Sequence, residues 1–346
     1  MITPSGYLKR FYGNPVIEPE RQHRWESCQT FNPGAVLLEG KIHILYRAIG
    51  DDGISRFGYA VSESGYIMDD RLEQPVYEQA VSPSEYTSYS YSSGGSFGGA
   101  EDPRITHVAG EDVIYLTYTA CDDGLRMALT SIKTEDLLRK RWRWTEPTFL
   151  SPPGQVHKNW VIFPEKICGK YAILHSLNPE ILVSYHETLS LDSSDYLNSY
   201  DSGPTTIREN VWDNIVRGAG APPIKTEFGW LLFYHAMTKS EYGKYKVGAM
   251  LLDLEDPGII ISRSVHPVLE PTAVYENSGF KPGIIYLTGA VIKDAELLVY
   301  YGASDSYVCV ASCRLDKILD DLVEGNKNSR INLSKSASTR FMGEEN

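Results

Sequence analysis

Apolar residues in this chain recur mostly in short runs of strand length, and helical spacing is nearly absent. Only residues 315–323 place apolar side chains at the spacing of an amphipathic helix, while residues 134–138 add one short turn. Elsewhere the runs are bounded by clusters of Gly, Pro, Asp and Ser, which favour turns. The pattern predicts an all-β protein with a short C-terminal helix, built as a sandwich, a barrel or a propeller.

One type of strand recurs five times, as an apolar stretch that ends in a polar or small residue. The copies are 42–48, 113–120, 171–176, 230–236 and 297–302. A companion strand precedes each copy and a follower comes after it, which is typical of a propeller blade. Five units predict a five-bladed β-propeller over residues 1–325 as a single domain, followed by a polar, flexible tail over 326–346.

The companion and follower strands can be assigned in every unit. Companions contain 31–34, 101–104, 161–164, 220–223 and 283–286, and followers contain 57–61, 127–130, 181–184, 247–250 and 308–311. Residues 14–19 (NPVIEP) also resemble 266–271 (HPVLEP), where the outer strand of the fourth blade is expected. The first segment would then be the outer strand of the fifth blade and close the ring without an exposed edge. The alternative is a chance match between two proline-rich loops.

Composition narrows the class of partner. A net charge of −12 disfavours nucleic acid, because binding to a phosphate backbone needs a basic surface. No charged start is followed by an apolar run, and no apolar stretch approaches 18 residues, so we expect neither a signal peptide nor a membrane span. The five cysteines lack metal-ligand spacing, and we expect them to be reduced thiols in a cytoplasmic protein.

Propeller geometry indicates where ligands bind, because the inner strands of every blade start near one central channel. Polar residues at the predicted starts of the inner strands are Asn32, Asp102, Arg104, Lys158, Asn159 and Arg217. The ends of the second strands add Arg47, His175, His235 and Asp305.

Asp102 is the strongest candidate for a catalytic group among these residues. It follows a glycine-rich run at residues 94–99, which would let the backbone approach a ligand closely. An Asp before a Pro at the start of a strand is also an ordinary turn signal, so this residue alone leaves both interpretations open.

Lys158, Arg217 and His235 form a second group. Three cations that face one channel repel one another unless an anion lies between them, and phosphate accepts several charge-assisted hydrogen bonds. The alternative is that each basic residue pairs with one of the 45 acidic residues.

The segments that carry these residues follow one another in a family-specific order. They are 31–34 (FNPG), 46–48 (YRA), 99–104 (GAEDPR), 158–166 (KNWVIFPEK), 217–220 (RGAG), 229–235 (GWLLFYH), 248–254 (GAMLLDL) and 300–305 (YYGASD). Together they resemble glycoside hydrolase family 130, the mannoside phosphorylases and related β-mannosidases, from about Phe11 to Leu322. The resemblance implies a five-bladed propeller and a reaction that inverts the anomeric centre.

The resemblance also implies roles for individual residues. It implies that Asp102 is the general acid, that phosphate is held by Lys158, Asn159, Arg217 and His235, and that the mannosyl unit is surrounded by Asn32, Arg47 and Asp305. We expect substrate contacts from Arg104, His175 and Glu276 as well.

Phosphorolysis and hydrolysis differ in the number of carboxylates that they need. An inverting hydrolase requires a second carboxylate as base, roughly 6.5–9.5 Å from the acid, and Glu276 is the candidate. The basic set Lys158, Arg217 and His235 favours phosphorolysis of a mannobiose, mannooligosaccharide or mannosyl-glucose to α-D-mannose 1-phosphate. The alternatives are an inverting β-mannosidase for β-1,2-linked mannosides and a non-catalytic sugar-binding propeller.

The expected partners are therefore a β-mannoside and inorganic phosphate, the latter as co-substrate. No other cofactor and no metal is expected, since no ligand cluster suggests one. A homo-oligomer, the linkage and the acceptor sugar stay open.

Overall fold

The computed structural model describes residues 8–80, 95–122, 124–190, 196–200 and 211–324. The predicted tail over 326–346 lies outside these residues. Across the described ranges, no helix combines the length and the apolar character that a membrane crossing requires. All five cysteines are free thiols, three of them buried.

Strands dominate the described chain, as predicted. They are β1 (Lys9–Arg10), β2 (Gln29–Leu38), β3 (Lys41–Ile49), β4 (Ile54–Ser62), β5 (Asp70–Arg71), β6 (Tyr77–Glu78), β7 (Gly98–His107), β8 (Val113–Asp122), β9 (Gly124–Lys133), β10 (Thr148–Phe149), β11 (Val161–Ile162), β12 (Tyr171–Ser176), β13 (Leu182–His186), β14 (Ile215–Ala219), β15 (Ile224–Thr226), β16 (Gly229–Met237), β17 (Lys246–Leu252), β18 (Ile260–Arg263), β19 (Ile285–Lys293), β20 (Glu296–Ala303) and β21 (Tyr307–Arg314). The helices are α1 (Thr134–Leu138) and α2 over 315–324, with 3-10 turns at Arg24–Glu26, Lys239–Glu241 and Val274–Glu276. The all-β class and the short C-terminal helix are confirmed.

The strands form five consecutive antiparallel groups. They are β2–β6, β7–β10, β11–β13, β14–β18, and β19–β21 with β1. The second long strand of each group (β3, β8, β12, β16 and β20) coincides with one copy of the predicted repeat, so the repeat assignment is confirmed. The first two groups join into one nine-stranded sheet through parallel pairing of β4 with β7.

The N-terminal segment joins the last group. Strand β1 pairs with β21, and Ile17 forms an isolated bridge with Val308. Leu269, which matches Ile17 in the repeated segment, forms the same kind of bridge with Val247 in the fourth group. The predicted equivalence of 14–19 and 266–271 is therefore confirmed in their pairing.

One companion strand is shifted from its predicted position. In the fourth group the inner strand β14 ends at Ala219, so 220–223 lies just beyond it. Pro222 and Pro223 explain the offset, because proline has no N–H to donate to a sheet.

Five separate apolar cores lie between neighbouring groups. They join the first group to the second, the second to the third, the third to the fourth, the fourth to the fifth and the fifth to the first. Members of these cores are, in that order, Phe57 with Leu116, Leu129 with Ile173, Phe163 with Trp230, Phe233 with Leu287, and Ile44 with Tyr300. Middle strands such as β16 are buried at every position because both of their faces pack on a neighbour. This double burial is why the repeats read as continuous apolar runs rather than as alternating ones.

Candidate active site

Irregular positions in the inner strands aim polar side chains at one place. The pairing register shifts at four of these strands, between Phe31 and Gly34, Glu101 and Arg104, Val216 and Gly218, and Leu287 and Gly289. Such bulges bend a strand and redirect its side chains. Asn32, Asp102 and Asn159 adopt left-handed backbone angles here (φ 46°, 54° and 68°), which Asn and Asp tolerate better than most residues.

Asn32 and Asp102 meet across the first two groups. The Nδ2 atom of Asn32 donates to Oδ1 of Asp102 at 2.7 Å. Gly302 in β20 lies directly behind Asn32, where an added Cβ would stand 2.1 Å from the Asn32 Oδ1. The orientation of Asn32 therefore depends on a glycine in the fifth group.

The Asp102 carboxylate is buried and held at one oxygen. Nη1 of Arg47 donates to Oδ1 at 3.1 Å, and in the described ranges protein donors reach only this oxygen, which leaves Oδ2 for a ligand. Burial raises the pKa of Asp102, but the nearby charges of Arg47, Lys158 and Arg104 outweigh it and lower the pKa to about 2. The carboxylate is therefore ionised at neutral pH in this arrangement.

Glu101 is part of the site, although the strand pattern did not predict it there. Its carboxylate accepts from Ser96 Oγ at 2.9 Å and lies 3.2 Å from Arg47 Nη2 and 3.1 Å from Lys158 Nζ. Successive side chains of a regular strand point to opposite faces, so Glu101 and Asp102 should diverge. The bulge removes that alternation and brings both carboxylates to Arg47.

Lys158 keeps its charge in this surrounding. Burial lowers the pKa of Lys158, but the carboxylates of Glu101 and Asp102 more than offset this and raise it. Lys158 is therefore a cation, as the sequence predicts. It also forms an ion pair with Glu101, which is what the alternative of local pairing with an acidic residue predicts.

Arg104 and Asn159 bind one another and the backbone around them. Arg104 donates to the carbonyl oxygens of Asp102 at 2.8 Å and Gly220 at 3.1 Å, and to Asn159 Oδ1 at 2.7 Å. Asn159 Oδ1 also accepts from Tyr286 Oη at 2.6 Å, and its Nδ2 donates to the Arg217 carbonyl at 3.1 Å. Most of their polar atoms connect the inner strands in this structure, and their expected contacts with ligands stay predictions.

The other two expected phosphate ligands, Arg217 and His235, lie beside tyrosines. Arg217 Nε donates to Tyr245 Oη at 3.2 Å, and the His235 ring stacks on Tyr286 with centroids 4.0 Å apart. Burial, together with the charge of Arg104, lowers the pKa of His235 to about 3. The His235 ring is therefore neutral at neutral pH in this arrangement, and its role at phosphate stays a prediction.

Asp305 is coupled to the same charges from the fifth group. Its carboxylate lies 3.4 Å from Lys281 Nζ, and it also senses the charges of Arg47 and Asp102. Burial raises the pKa of Asp305 despite the two cations. Lys281 was not selected from the sequence because its segment, 277–283, carries no strand pattern.

Two predicted substrate residues have different surroundings. The buried ring of His175 lies 5.4 Å from the Trp160 ring, and burial and the neighbouring His186 and His157 lower its pKa to about 4. Glu276 is fully buried, and its carboxylate accepts hydrogen bonds from Arg10, Tyr301 and the backbone N–H groups of residues 272 and 273. Within the described part of the chain, none of the Glu276 hydrogen bonds goes to Asp102 or its partners. Glu276 therefore anchors the N-terminal strand to the fifth group.

We call the connected set of described residues the Asp102 cluster, and it contains more basic side chains than carboxylates. Its members are Asn32, Arg47, Glu101, Asp102, Arg104, Lys158, Asn159, Arg217, His235, Lys281, Tyr286 and Asp305. Its basic members are Arg47, Arg104, Lys158, Arg217 and Lys281, and its carboxylates are Glu101, Asp102 and Asp305. Clustered basic side chains favour the binding of an anion.

Metal ligation has no support in the described residues. Nowhere in them do three or more His, Cys, Asp or Glu side chains lie close enough to hold a metal ion.

Known proteins resemble the chain over most of its length. A family model for glycoside hydrolase family 130, described as beta-1,4-mannooligosaccharide phosphorylase, matches residues 8–324. The 1,2-beta-oligomannan phosphorylase of Thermoanaerobacter sp. (strain X514) is 36% identical over 324 residues, which cover 90% of this chain and 98% of that protein.

Solved structures give the same likeness. The beta-1,2-mannobiose phosphorylase of Listeria innocua, in complex with beta-1,2-mannobiose, aligns with a TM-score of 0.69 at 25% identity, covering 91% of this chain and 99% of that one. A structure concerning family 130 glycoside hydrolases that target beta-1,2 mannosidic linkages in Candida mannan aligns with a TM-score of 0.72 at 26% identity, covering 91% and 96%.

Proposed function

Because the chain belongs to glycoside hydrolase family 130, we propose that it cleaves a β-mannoside with inorganic phosphate and releases α-D-mannose 1-phosphate. The observation that carries this proposal is the setting of the Asp102 carboxylate: Arg47, Lys158 and Arg104 act on it by charge, and the described residues donate hydrogen bonds to only one of its oxygens. A phosphate dianion would bind such cations through charge-assisted hydrogen bonds. We propose β-1,2-linked mannosides as substrates, because the Thermoanaerobacter and Listeria relatives carry this linkage in their names.

We also infer that the five strand groups are the blades of a five-bladed β-propeller. The five apolar cores support this, because they connect every group to the next and the last to the first. Contacts between inner strands add support: Thr288 in β19 donates to the Pro33 carbonyl in β2, and Arg104 in β7 donates to the Gly220 carbonyl beyond β14. In this arrangement the Asp102 cluster lies on the central axis.

The reaction needs one acid and one nucleophile. Lys158 and Arg217 would hold phosphate by charge, and the neutral His235 ring would add a hydrogen bond. A phosphate oxygen then forms a bond to the anomeric carbon while the bond to the leaving sugar breaks. The leaving oxygen takes its proton from Asp102, and attack from the opposite face inverts the β-linkage to the α-phosphate.

Phosphate binding would also prepare Asp102 to act as an acid. The charges of Arg47, Lys158 and Arg104 hold its pKa near 2, which favours the carboxylate that cannot donate a proton. A bound dianion compensates these cations and adds negative charge nearby, so it raises the pKa of Asp102. Protonation of the acid is thereby coupled to the presence of the nucleophile.

Product analysis tests the proposal. The protein is incubated with β-1,2- and β-1,4-linked mannobiose, with and without phosphate, and the products are identified. We expect α-D-mannose 1-phosphate only when phosphate is present, and faster turnover of the β-1,2 linkage. Equal release of free mannose without phosphate would show an inverting mannosidase instead, with a carboxylate such as Glu101 or Asp305 as base.

A further inference from the structure

Lys281 lies in the Asp102 cluster by way of a short segment that is fixed to the fifth group. The backbone N–H of Lys281 donates to the Ser304 carbonyl at 2.9 Å, and that of Phe280 donates to Ser306 Oγ at 2.8 Å. A Cβ at Gly279 would stand 2.5 Å from Ser306 Oγ, so the segment packs closely on the turn that carries Asp305. The backbone of Lys281 is therefore held against the turn that carries Asp305.

The side chain of Lys281 is partly buried, and its ammonium group lies among charges. Its side chain is 13% exposed, and its Nζ lies 3.4 Å from Asp305 Oδ2. Burial lowers the pKa of Lys281, the carboxylate of Asp305 counteracts this, and the cations Lys158 and Arg47 lower it further. Placing a lysine in this surrounding, beside two other cations, lowers the stability of the fold. Its presence therefore indicates that the charge has a function.

We infer that Lys281 is a positioning residue that holds the Asp305 carboxylate in place as an acceptor for the hydroxyl groups of the mannosyl unit. This inference rests on the proposed function, since it takes a β-mannoside as the ligand. Only an ionised carboxylate offers all of its oxygen lone pairs to sugar hydroxyls. The charged groups that act on Asp305 are Lys281, Arg47 of β3 and Asp102 of β7, and the first two favour its ionised form.

The sign of the expected pH dependence follows from these charges. Burial already raises the pKa of Asp305, and removal of the Lys281 charge would raise it further. As the pH falls, the variant would therefore lose the Asp305 carboxylate, and with it sugar binding, at a higher pH than the wild type does.

The test compares Lys281→Met with Lys281→Arg, which keeps the charge. Affinity for β-1,2-mannobiose is measured by titration calorimetry without phosphate from pH 5 to pH 8, and kcat and KM are measured with phosphate. We expect Lys281→Met to weaken binding about tenfold at pH 7, to shift the acid limit of binding upward and to change KM more than kcat. Lys281→Arg should retain most of the affinity. Unchanged affinity and pH profile in Lys281→Met would overturn the inference.

A double-mutant cycle separates positioning from a structural effect. If Lys281 acts through Asp305, Lys281→Met should reduce mannobiose affinity much less in an Asp305→Asn background than in the wild type. Fully additive losses of affinity would contradict the inference. Lys170→Met is a matched control, because Lys170 forms an exposed pair with Glu187 at 3.0 Å, and it should leave all readouts unchanged. Wild-type protein that binds mannobiose but does not phosphorolyse it would count against the proposed function and leave the Lys281 result standing.

Discussion

Asp102 and Glu276 are both buried carboxylates beside an arginine, yet their surroundings differ. Arg10 donates twice to Glu276, and Tyr301 and two backbone N–H groups complete the set on both of its oxygens. Asp102 receives protein hydrogen bonds at Oδ1 alone within the described residues, while several cations act on it from a distance. A carboxylate whose acceptors are all used stabilises the fold, whereas one with a spare oxygen in a cationic surrounding can act on a ligand.

The largest effect is expected at Asp102. Asp102→Asn keeps the shape of the side chain but cannot donate a carboxylic acid proton, so kcat should fall about 10²- to 10⁴-fold. Thermal unfolding should change little, because Arg47 still contacts Glu101. Steady-state kinetics and a melting curve measure the two effects. Retained activity would show that another group is the acid.

Arg217 should affect phosphate more than the sugar. Arg217→Gln removes one basic side chain of the Asp102 cluster, and we expect KM for phosphate to rise about 10- to 100-fold, the size of one or two charge-assisted hydrogen bonds. Mannobiose affinity without phosphate should stay within about twofold. If both affinities fall together, Arg217 supports the site as a whole rather than the anion.

Glu276 provides the structural half of the comparison. Glu276→Gln places an NH₂ group where N–H donors now point, and we expect the free energy of unfolding to fall by about 1–3 kcal/mol. Denaturant unfolding measures this change, and kcat measured well below the melting temperature should be nearly unchanged. A large loss of kcat in a stable Glu276→Gln protein would show that Glu276 takes part in the reaction.

The smallest expected effect is a pH dependence of anion binding. Sulfate stays a dianion between pH 4 and pH 7 and serves as a phosphate mimic without its own titration. Its charge favours the protonated carboxyl and so raises the pKa of Asp102 from about 2. Sulfate should therefore bind several-fold more tightly as the pH falls towards the raised pKa. The increase should be smaller in Asp102→Asn. An identical pH profile in both proteins would assign the proton to another group, such as His235.

Much of the fold was predictable because it depends on patterns that recur along the chain. The five apolar repeats, the C-terminal helix and the pairing of 14–19 with the last group all follow from runs of apolar and turn-forming residues. Glu101 and Lys281 were missed for two separate reasons. A bulge cancels strand alternation at Glu101, and Lys281 enters the cluster from a loop that only tertiary contacts hold in place.

The strand content, the number of repeating units and the presence of an acid and several cations at the starts of inner strands all follow from the amino-acid order alone. Which of these charges are present and available depends on the folded chain. It makes His235 neutral through burial, commits Arg104 and Asn159 to contacts between strands, occupies Glu276 with Arg10 and adds Lys281 to the cluster. Apolar periodicity is a local property that a sequence shows directly. The charge state and spare hydrogen-bonding capacity of a side chain depend on residues that are distant along the chain, and these become neighbours only when the chain folds.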